Sequence, residues 1–112
     1  MKSEFAVQAL SALAQETRLS IFRLLIQAGA DGLFPGQIAD CLGVAATTLS
    51  FHLKTLVHAG LAHSRQEGRF VRYQADFDVM HGLIDYLTEN CCGSDASACV
   101  PGTVRRGGKK TA

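Results

Sequence analysis

The sequence has no apolar run of eighteen residues, so we expect no membrane-spanning helix. Its first fifteen residues do not resemble a secretory signal, because Glu4, Gln8 and Gln15 interrupt the apolar stretch that such a signal needs. We therefore expect a cytoplasmic protein without a membrane partner. Thiols are normally kept reduced in the cytoplasm. The four cysteines are thus better candidates for metal ligands or redox sensors than for a disulfide framework.

A marked charge imbalance is also missing from the sequence. The formal net charge of the 112 residues is only +1, which is too small to indicate nucleic-acid binding by itself. Internal repeats and low-complexity blocks are absent, and 47% of the residues are hydrophobic, too many for a disordered chain. The length fits one domain with a thin core, for which self-association is a way to bury more surface.

Apolar residues recur at helical spacing in four segments of the first half of the chain. The spacing predicts helices over residues 4–14, 16–28, 35–43 and 46–59. Gly29 and Gly43 fit the ends of the second and third helices, and Pro35 fits the first turn of the third. The third and fourth helices, joined by a tight turn, have the pattern of a helix-turn-helix, although an ordinary helical pair has it too.

The outer face of the fourth helix carries short polar side chains that suit a groove in DNA. An exposed aromatic residue such as Phe51 is explained there by contact with a thymine methyl group or a sugar. His52 lies on the flank of this face, where it either contacts DNA or braces the helix. The candidate DNA-binding residues of this helix are Thr47, Thr48, Ser50, Phe51, His52 and Lys54.

Two runs rich in strand-forming residues surround Glu67-Gly68 and predict a β-hairpin within residues 61–76. A hairpin after a recognition helix is a wing, and its arginines would reach phosphates or the minor groove. Arg65 and Arg69 are the candidates, with Arg72 beside them. A solubilised hairpin edge is the alternative, but it leaves the preceding helix-turn-helix unexplained.

A last helix is predicted over residues 77–89. Its apolar residues Phe77, Met80, Ile84 and Leu87 are spaced like the seam of a coiled coil. Such a seam packs on its own domain or pairs two protomers, and we expect pairing across a two-fold axis together with the first helix. The expected fold is mainly α with a β-hairpin wing, a homodimeric winged helix-turn-helix. Residues 1–90 would form its DNA-binding and dimerisation domain.

Two stretches of the sequence resemble the ArsR/SmtB family of bacterial winged-helix repressors. "QETRLSIFRLL" resembles the second helix of that family, and "TTLSFHLKTLVHAGLAHSRQEGRFVRY" resembles its recognition helix and wing. The resemblance covers roughly residues 5–90. It implies a transcriptional repressor that binds a palindromic operator as a homodimer and leaves the DNA when a metal or metalloid ion binds.

The cysteines distinguish between the known sites of that family. The arsenic site of the third helix resembles C-x-C, but this helix has only Cys41, which we expect to be a small buried residue. The last helix lacks the ligand spacing of the family's zinc site, so His81 is expected at the surface or in an interface. Cys91, Cys92 and Cys99 resemble the thiols of an arsenic-responsive branch whose site follows the last helix.

The chemistry of As(III) and Sb(III) agrees with three thiols. Soft ions select thiolate ligands, and three sulfurs complete the pyramidal site of an ion that keeps a lone pair, whereas zinc prefers four ligands. The step from Cys92 to Cys99 spans up to roughly 23 Å, so Cys99 can fold back. A redox switch, a zinc or Cd(II) site and a cysteine-rich tail without function are the alternatives. Residues 91–112 are thus expected to form an inducer-binding segment and a flexible basic tail.

An enzymatic function is not expected. An arsenate reductase needs a nucleophilic thiol in an anion-binding loop at a helix N-terminus. The three thiols here follow a helix C-terminus, where the helix dipole disfavours a thiolate. A metal carrier could use the thiols but would have no use for the wing.

Overall fold

The computed structural model of the chain describes residues 1–94. Five α-helices occur there: α1 (Ser3–Leu13), α2 (Glu16–Ala28), α3 (Pro35–Leu42), α4 (Ala46–His58) and α5 (Phe77–Leu87). An antiparallel pair of strands, β1 (Ala62–Glu67) and β2 (Phe70–Ala75), lies between α4 and α5. Short 3₁₀ turns follow α2 at Gly29–Asp31 and α5 at Cys91–Ser94. The predicted fold, mainly α with one hairpin wing, is confirmed.

The hydrophobic core collects side chains from every helix and from the start of the hairpin. Its largest fully buried members are Ile21, Leu25, Ile38, Leu49, Leu53, Leu56 and Leu61. Helix α1 contributes only alanines to the buried set, and α5 contributes Leu83. None of the helices within residues 1–94 has the length and apolar character that a membrane crossing requires.

Helical spacing predicts an apolar stripe on α2 formed by Leu19, Phe22, Leu25 and Ile26, and this prediction was wrong at Leu19. Leu19 is exposed, whereas Ile21 is fully buried beside Phe22 and Leu25. At 100° per residue, the face centred on Ile21 and Leu25 also includes Arg18. A charged side chain therefore lies on the inward side of α2, and it interrupts the apolar pattern from which the stripe was predicted.

The turn between α3 and α4 begins at Gly43, as predicted. Gly43 adopts a left-handed conformation with φ +67°, which glycine reaches without the steric cost of a side chain. Its backbone N–H donates to the carbonyl of Ala39 at 2.8 Å and ends α3. Because only three residues, 43–45, separate the two helices, α4 begins at a fixed angle to α3.

The wing is joined to the body of the domain along β2. Leu33 and Tyr73 exchange backbone hydrogen bonds of 2.9 and 2.8 Å. Gly32 lies so close to the backbone of Tyr73 that a Cβ at this position would collide with it. The loop of the hairpin consists of Gly68 and Arg69, one residue later than predicted, because Glu67 pairs with Phe70.

Candidate nucleic-acid interface

The face of α4 predicted to meet DNA is exposed at five of its six positions: Thr47, Thr48, Ser50, Phe51 and Lys54. Short polar side chains leave room for the edges of bases, and Lys54 supplies a positive charge. Phe51 is 63% exposed, and its ring meets the edge of the His52 ring at a centroid distance of 5.4 Å. The face thus offers hydrogen-bonding groups together with one large apolar contact.

His52 is the exception on this helix. Only 9% of its surface is exposed, and Nδ1 of its ring lies 3.2 Å from Nη1 of Arg18 in α2. Burial, and next the charge of Arg18, lower the pKa of His52 from its ordinary value of 6.5. The direct DNA contact predicted for His52 does not fit this position, because its imidazole faces α2 and not the outer surface of α4. The bracing role is the one that fits.

Glu67 neutralises two of the three arginines of the wing. Its carboxylate lies 2.8 Å from Arg72 and 2.9 Å from Arg65. Hydrogen bonds from Arg72 and then from Arg65 lower the pKa of Glu67 to about 2. The predicted DNA contact Arg65 is therefore exposed but already paired.

Arg72 fixes the wing to the body of the domain. Its guanidinium also donates to the backbone carbonyl of Asp31 at 2.8 Å and lies 4.3 Å from the centre of the Phe34 ring. The ring of Phe70, on the same strand as Arg72, also packs against Phe34, with centroids 5.8 Å apart. These contacts engage Arg72 within the protein, so it is not a candidate for DNA contact.

Arg69 is placed differently from the other two arginines. It lies at the tip of the hairpin loop and is exposed. All the ion pairs found within residues 1–94 belong to Glu67, so Arg69 has no ion-pair partner among these residues. Of the two predicted wing contacts, Arg69 is the better placed.

Cys91 and Cys92 lie in the 3₁₀ turn that follows α5, and their Sγ atoms are 3.6 Å apart. Positive φ values at Asn90 and Cys92 bend the backbone away from helical geometry. Cys92 is disulfide-bonded, and its sulfur becomes a ligand only after reduction.

The predictions for the other two cysteines, Cys99 and Cys41, stand differently. Cys99, the predicted third ligand, lies outside the described residues. Cys41 is exposed, so the prediction that it is buried was wrong. Only Ile38 of α3 is fully enclosed, and Cys41 lies to the side of the narrow stripe formed with Ala39 and Leu42. Residues 1–94 contain no group of three or more potential ligand side chains arranged to hold a metal ion.

The seam predicted on α5 is divided between core and surface. Phe77 and Met80 pack against the core, whereas Ile84 and Leu87 are 50% and 59% exposed. Helix α1 leaves Val7 and Leu10 exposed as well. Large apolar side chains on both helices are thus available to a second protomer.

Comparison with known proteins agrees with this architecture. Residues 13–65 match the helix-turn-helix domain family. The ArsR-like transcriptional regulator from Rhodococcus sp. RHA1 superposes with a TM-score of 0.70 and 26% identity over 84% of this chain and 86% of that one. The homodimeric winged helix-turn-helix domain of Mb0332 from Mycobacterium bovis, a possible ArsR-family regulator, gives a TM-score of 0.63 and 27% identity over 83% and 86%.

A curated relative, the putative arsenical resistance operon repressor ArsR of Halobacterium salinarum, is 39% identical over 71 residues, which are 63% of this chain and 54% of that protein. The chain belongs to the ArsR/SmtB family of winged-helix regulators. It spans between half and two thirds of the length of the curated relatives that it matches. In this ArsR/SmtB chain, α4 is the recognition helix and the β1–β2 hairpin is the wing.

Proposed function

We propose that this ArsR/SmtB protein is a transcriptional repressor that binds operator DNA as a homodimer. In this proposal As(III) or Sb(III) releases it by binding to the thiols of Cys91, Cys92 and Cys99. The observation that carries the DNA-binding part is the exposed polar face of α4 beside a wing whose tip arginine, Arg69, forms no ion pair within residues 1–94. Family membership supports it, because the shared architecture is that of DNA-binding regulators.

The fold suggests how the two elements divide the work. The N-terminal half of α4, with Thr47, Thr48 and Phe51, enters the major groove and reads base edges. Arg69 at the wing tip grips phosphates or the minor groove, a contact that carries little sequence information. A two-fold dimer places its two recognition helices in successive major grooves, about 34–36 Å apart.

The dimer proposal rests on the exposed apolar side chains of α1 and α5. A soluble domain seldom leaves several such groups uncovered. The structural relative Mb0332 is described as homodimeric. Pairing through α5 would also place the thiols, which follow α5 directly, at the end of the dimer helix.

That position supports a mechanism for release. An ion that draws Cys99 onto Cys91 and Cys92 must reshape the end of α5. A change there alters the angle between protomers, and the two recognition helices then no longer fit successive grooves. Coupling between sites of this kind is typically worth about 1–3 kcal/mol, or about 5- to 150-fold in operator affinity.

A thiol-redox switch is the alternative, and the disulfide bond of Cys92 favours it. Oxidation and reduction of this sulfur would act on the same end of α5 as ion binding. Both mechanisms use the same thiols, so they differ only in the signal. A site for zinc or Cd(II) at the same thiols is a third possibility. The titration described next distinguishes it from the metalloid and redox mechanisms.

The test is a fluorescence-anisotropy titration of the reduced protein against DNA from immediately upstream of its own gene. Scrambled DNA of the same length is the control, and arsenite, antimonite, zinc, cadmium or a mild oxidant is added in separate arms. We expect tight operator binding that arsenite or antimonite reverses. Failure to prefer the upstream DNA would contradict the repressor assignment. Release by the oxidant but not by arsenite would replace the metalloid mechanism with the redox one.

A further inference from the structure

Arg18 connects three helices of the domain. Its Nε donates to the backbone carbonyl of Ala12 near the end of α1, at 2.6 Å. Its Nη1 lies 3.2 Å from Nδ1 of His52 in α4. Within the part of the chain that the structure describes, the contact with His52 is the only side-chain hydrogen bond between α4 and another element. The recognition helix is thus tied to the body at one polar point.

The chemistry of the two groups fixes the proton on His52. A guanidinium is always charged and has donors but no acceptor. Nδ1 of His52 must therefore accept, which requires the neutral imidazole with its proton on Nε2. A protonated imidazole would present a second donor and a second positive charge to Arg18. The contact then cannot persist.

The surroundings of His52 keep the ring neutral near neutral pH. Burial is the first cause of its lowered pKa, and the charge of Arg18 is the second. Arg18 is also the only charged group among the described residues whose field contributes to this shift. Protonation of His52 therefore belongs to the acidic range, below the ordinary value of 6.5.

We propose that Arg18 is a positioning residue for the recognition helix: it holds α4 through Nδ1 of His52, and protonation of His52 releases α4 and weakens operator binding. The proposal rests on operator binding by α4. His52 follows Phe51 directly and lies one helical turn after Thr48, so a shift of its ring displaces the residues that face the groove. No ion or effector is needed for this response.

The sign of the pH response separates this mechanism from ordinary electrostatics. Protonating a histidine adds positive charge, which normally strengthens binding to DNA. Here the neutral ring is required, so release from the operator takes up one proton per protomer. Because the pKa of His52 lies below 6.5, operator affinity is expected to fall by up to about tenfold per protomer between about pH 7.5 and pH 5.5. Affinity for scrambled DNA should not fall.

The test compares the reduced wild type with variants at two positions of α4. His52→Asn keeps an acceptor oxygen near the position of Nδ1 but cannot titrate, so it should bind the operator without loss in acid. His52→Leu removes the acceptor and should bind about tenfold more weakly at both pH values. His58→Asn, on the same helix but exposed, removes one imidazole and should retain the acid loss of the wild type.

Two results of these titrations would overturn the proposal. One is an acid loss in His52→Asn equal to that of the wild type. The other is operator binding by His52→Leu that equals the wild type at about pH 7.5. If His52→Leu does not fold, Arg18→Gln replaces it, with weaker operator binding and a higher pKa of His52 expected.

A measurement without DNA distinguishes failure of this proposal from failure of the repressor assignment. Nitrogen-15 NMR of the imidazole rings reports the tautomer and pKa of each histidine directly. We expect His52 to carry its proton on Nε2 and its pKa to lie below the ordinary value of 6.5. A wild type that binds no operator at any pH contradicts the repressor function, and the NMR spectrum then decides the Arg18 link alone. A proton on Nδ1 would refute the link even in a protein that represses.

Discussion

Replacing Ile84 by glutamate is expected to separate the protomers and to abolish operator binding at the same time. Ile84 is 50% exposed near the end of α5, next to the buried Leu83. A second protomer that covers this face explains why an isoleucine stands there. The substitution places a charge within the proposed interface and leaves the core of the domain untouched.

The size of the effect follows from the exposure of the side chain. Full burial of an isoleucine contributes about 1.5–3 kcal/mol, so covering the exposed half in two protomers contributes about the same amount. Each introduced carboxylate adds a desolvation cost of several kcal/mol if it stays unpaired in the interface. A total loss of at least about 5 kcal/mol weakens the dimer by roughly 10³- to 10⁴-fold.

Sedimentation velocity at micromolar concentration measures the assembly, and anisotropy on the upstream DNA measures binding. Phe51→Glu is the matched control, because it also places a charge at an exposed apolar position, 63% exposed, but on the recognition helix. This control should stay dimeric and lose the operator. A monomeric Ile84→Glu with undiminished operator affinity would refute the need for a dimer. An Ile84→Glu that remains dimeric would place the interface elsewhere.

Three further predictions concern the thiols and the wing. Cys99→Ser should bind the operator but lose most of its release by arsenite. The control Cys41→Ser, at an exposed thiol of α3, should respond to arsenite like the wild type. A Cys99→Ser protein that binds no operator even without arsenite would show a structural role for Cys99. Arg69→Ala should weaken binding to operator and scrambled DNA alike and reduce the salt slope by about 0.9 per protomer; a changed sequence preference with an unchanged slope would mean that the wing reads bases. Glu67→Gln should release Arg65 and steepen the same slope, and an unchanged slope would show that Arg65 does not reach phosphates.

Glu67 does not contribute to the acid loss expected from His52. Its pKa is lowered to about 2 by Arg72 and Arg65. The stabilisation by a carboxylate with a lowered pKa is fully present above the unfolded value and is lost only as the pH falls toward the folded one. The wing pairs therefore persist between about pH 7.5 and pH 5.5, and an acid effect in that range has to come from another group.

The helices and the hairpin could be predicted from the sequence because their signals are local. Helical periodicity, Pro35 and Gly43 placed the bounds of α3 and α4, and strand formers around Gly68 placed the wing. Burial was harder to predict for short helices, where one face is only a few residues wide. Cys41 illustrates this. Helix α3 has eight residues, of which only Ile38 is buried, and Cys41 lies just outside that narrow face and is exposed.

Electrostatic roles could not be predicted, because they depend on partners that are distant in sequence or compete for the same group. Arg18 and His52 are 34 residues apart, and no local pattern in the sequence connects them. The sequence predicted DNA contacts for Arg65 and Arg69 of the wing, but Glu67 engages Arg65 together with the neighbouring Arg72. The charge that a winged helix offers to DNA is therefore set by which cations remain unpaired after folding. By that criterion Arg69 dominates the wing, and in our proposal the contact between Arg18 of α2 and His52 of α4 governs the recognition helix through geometry and not through charge.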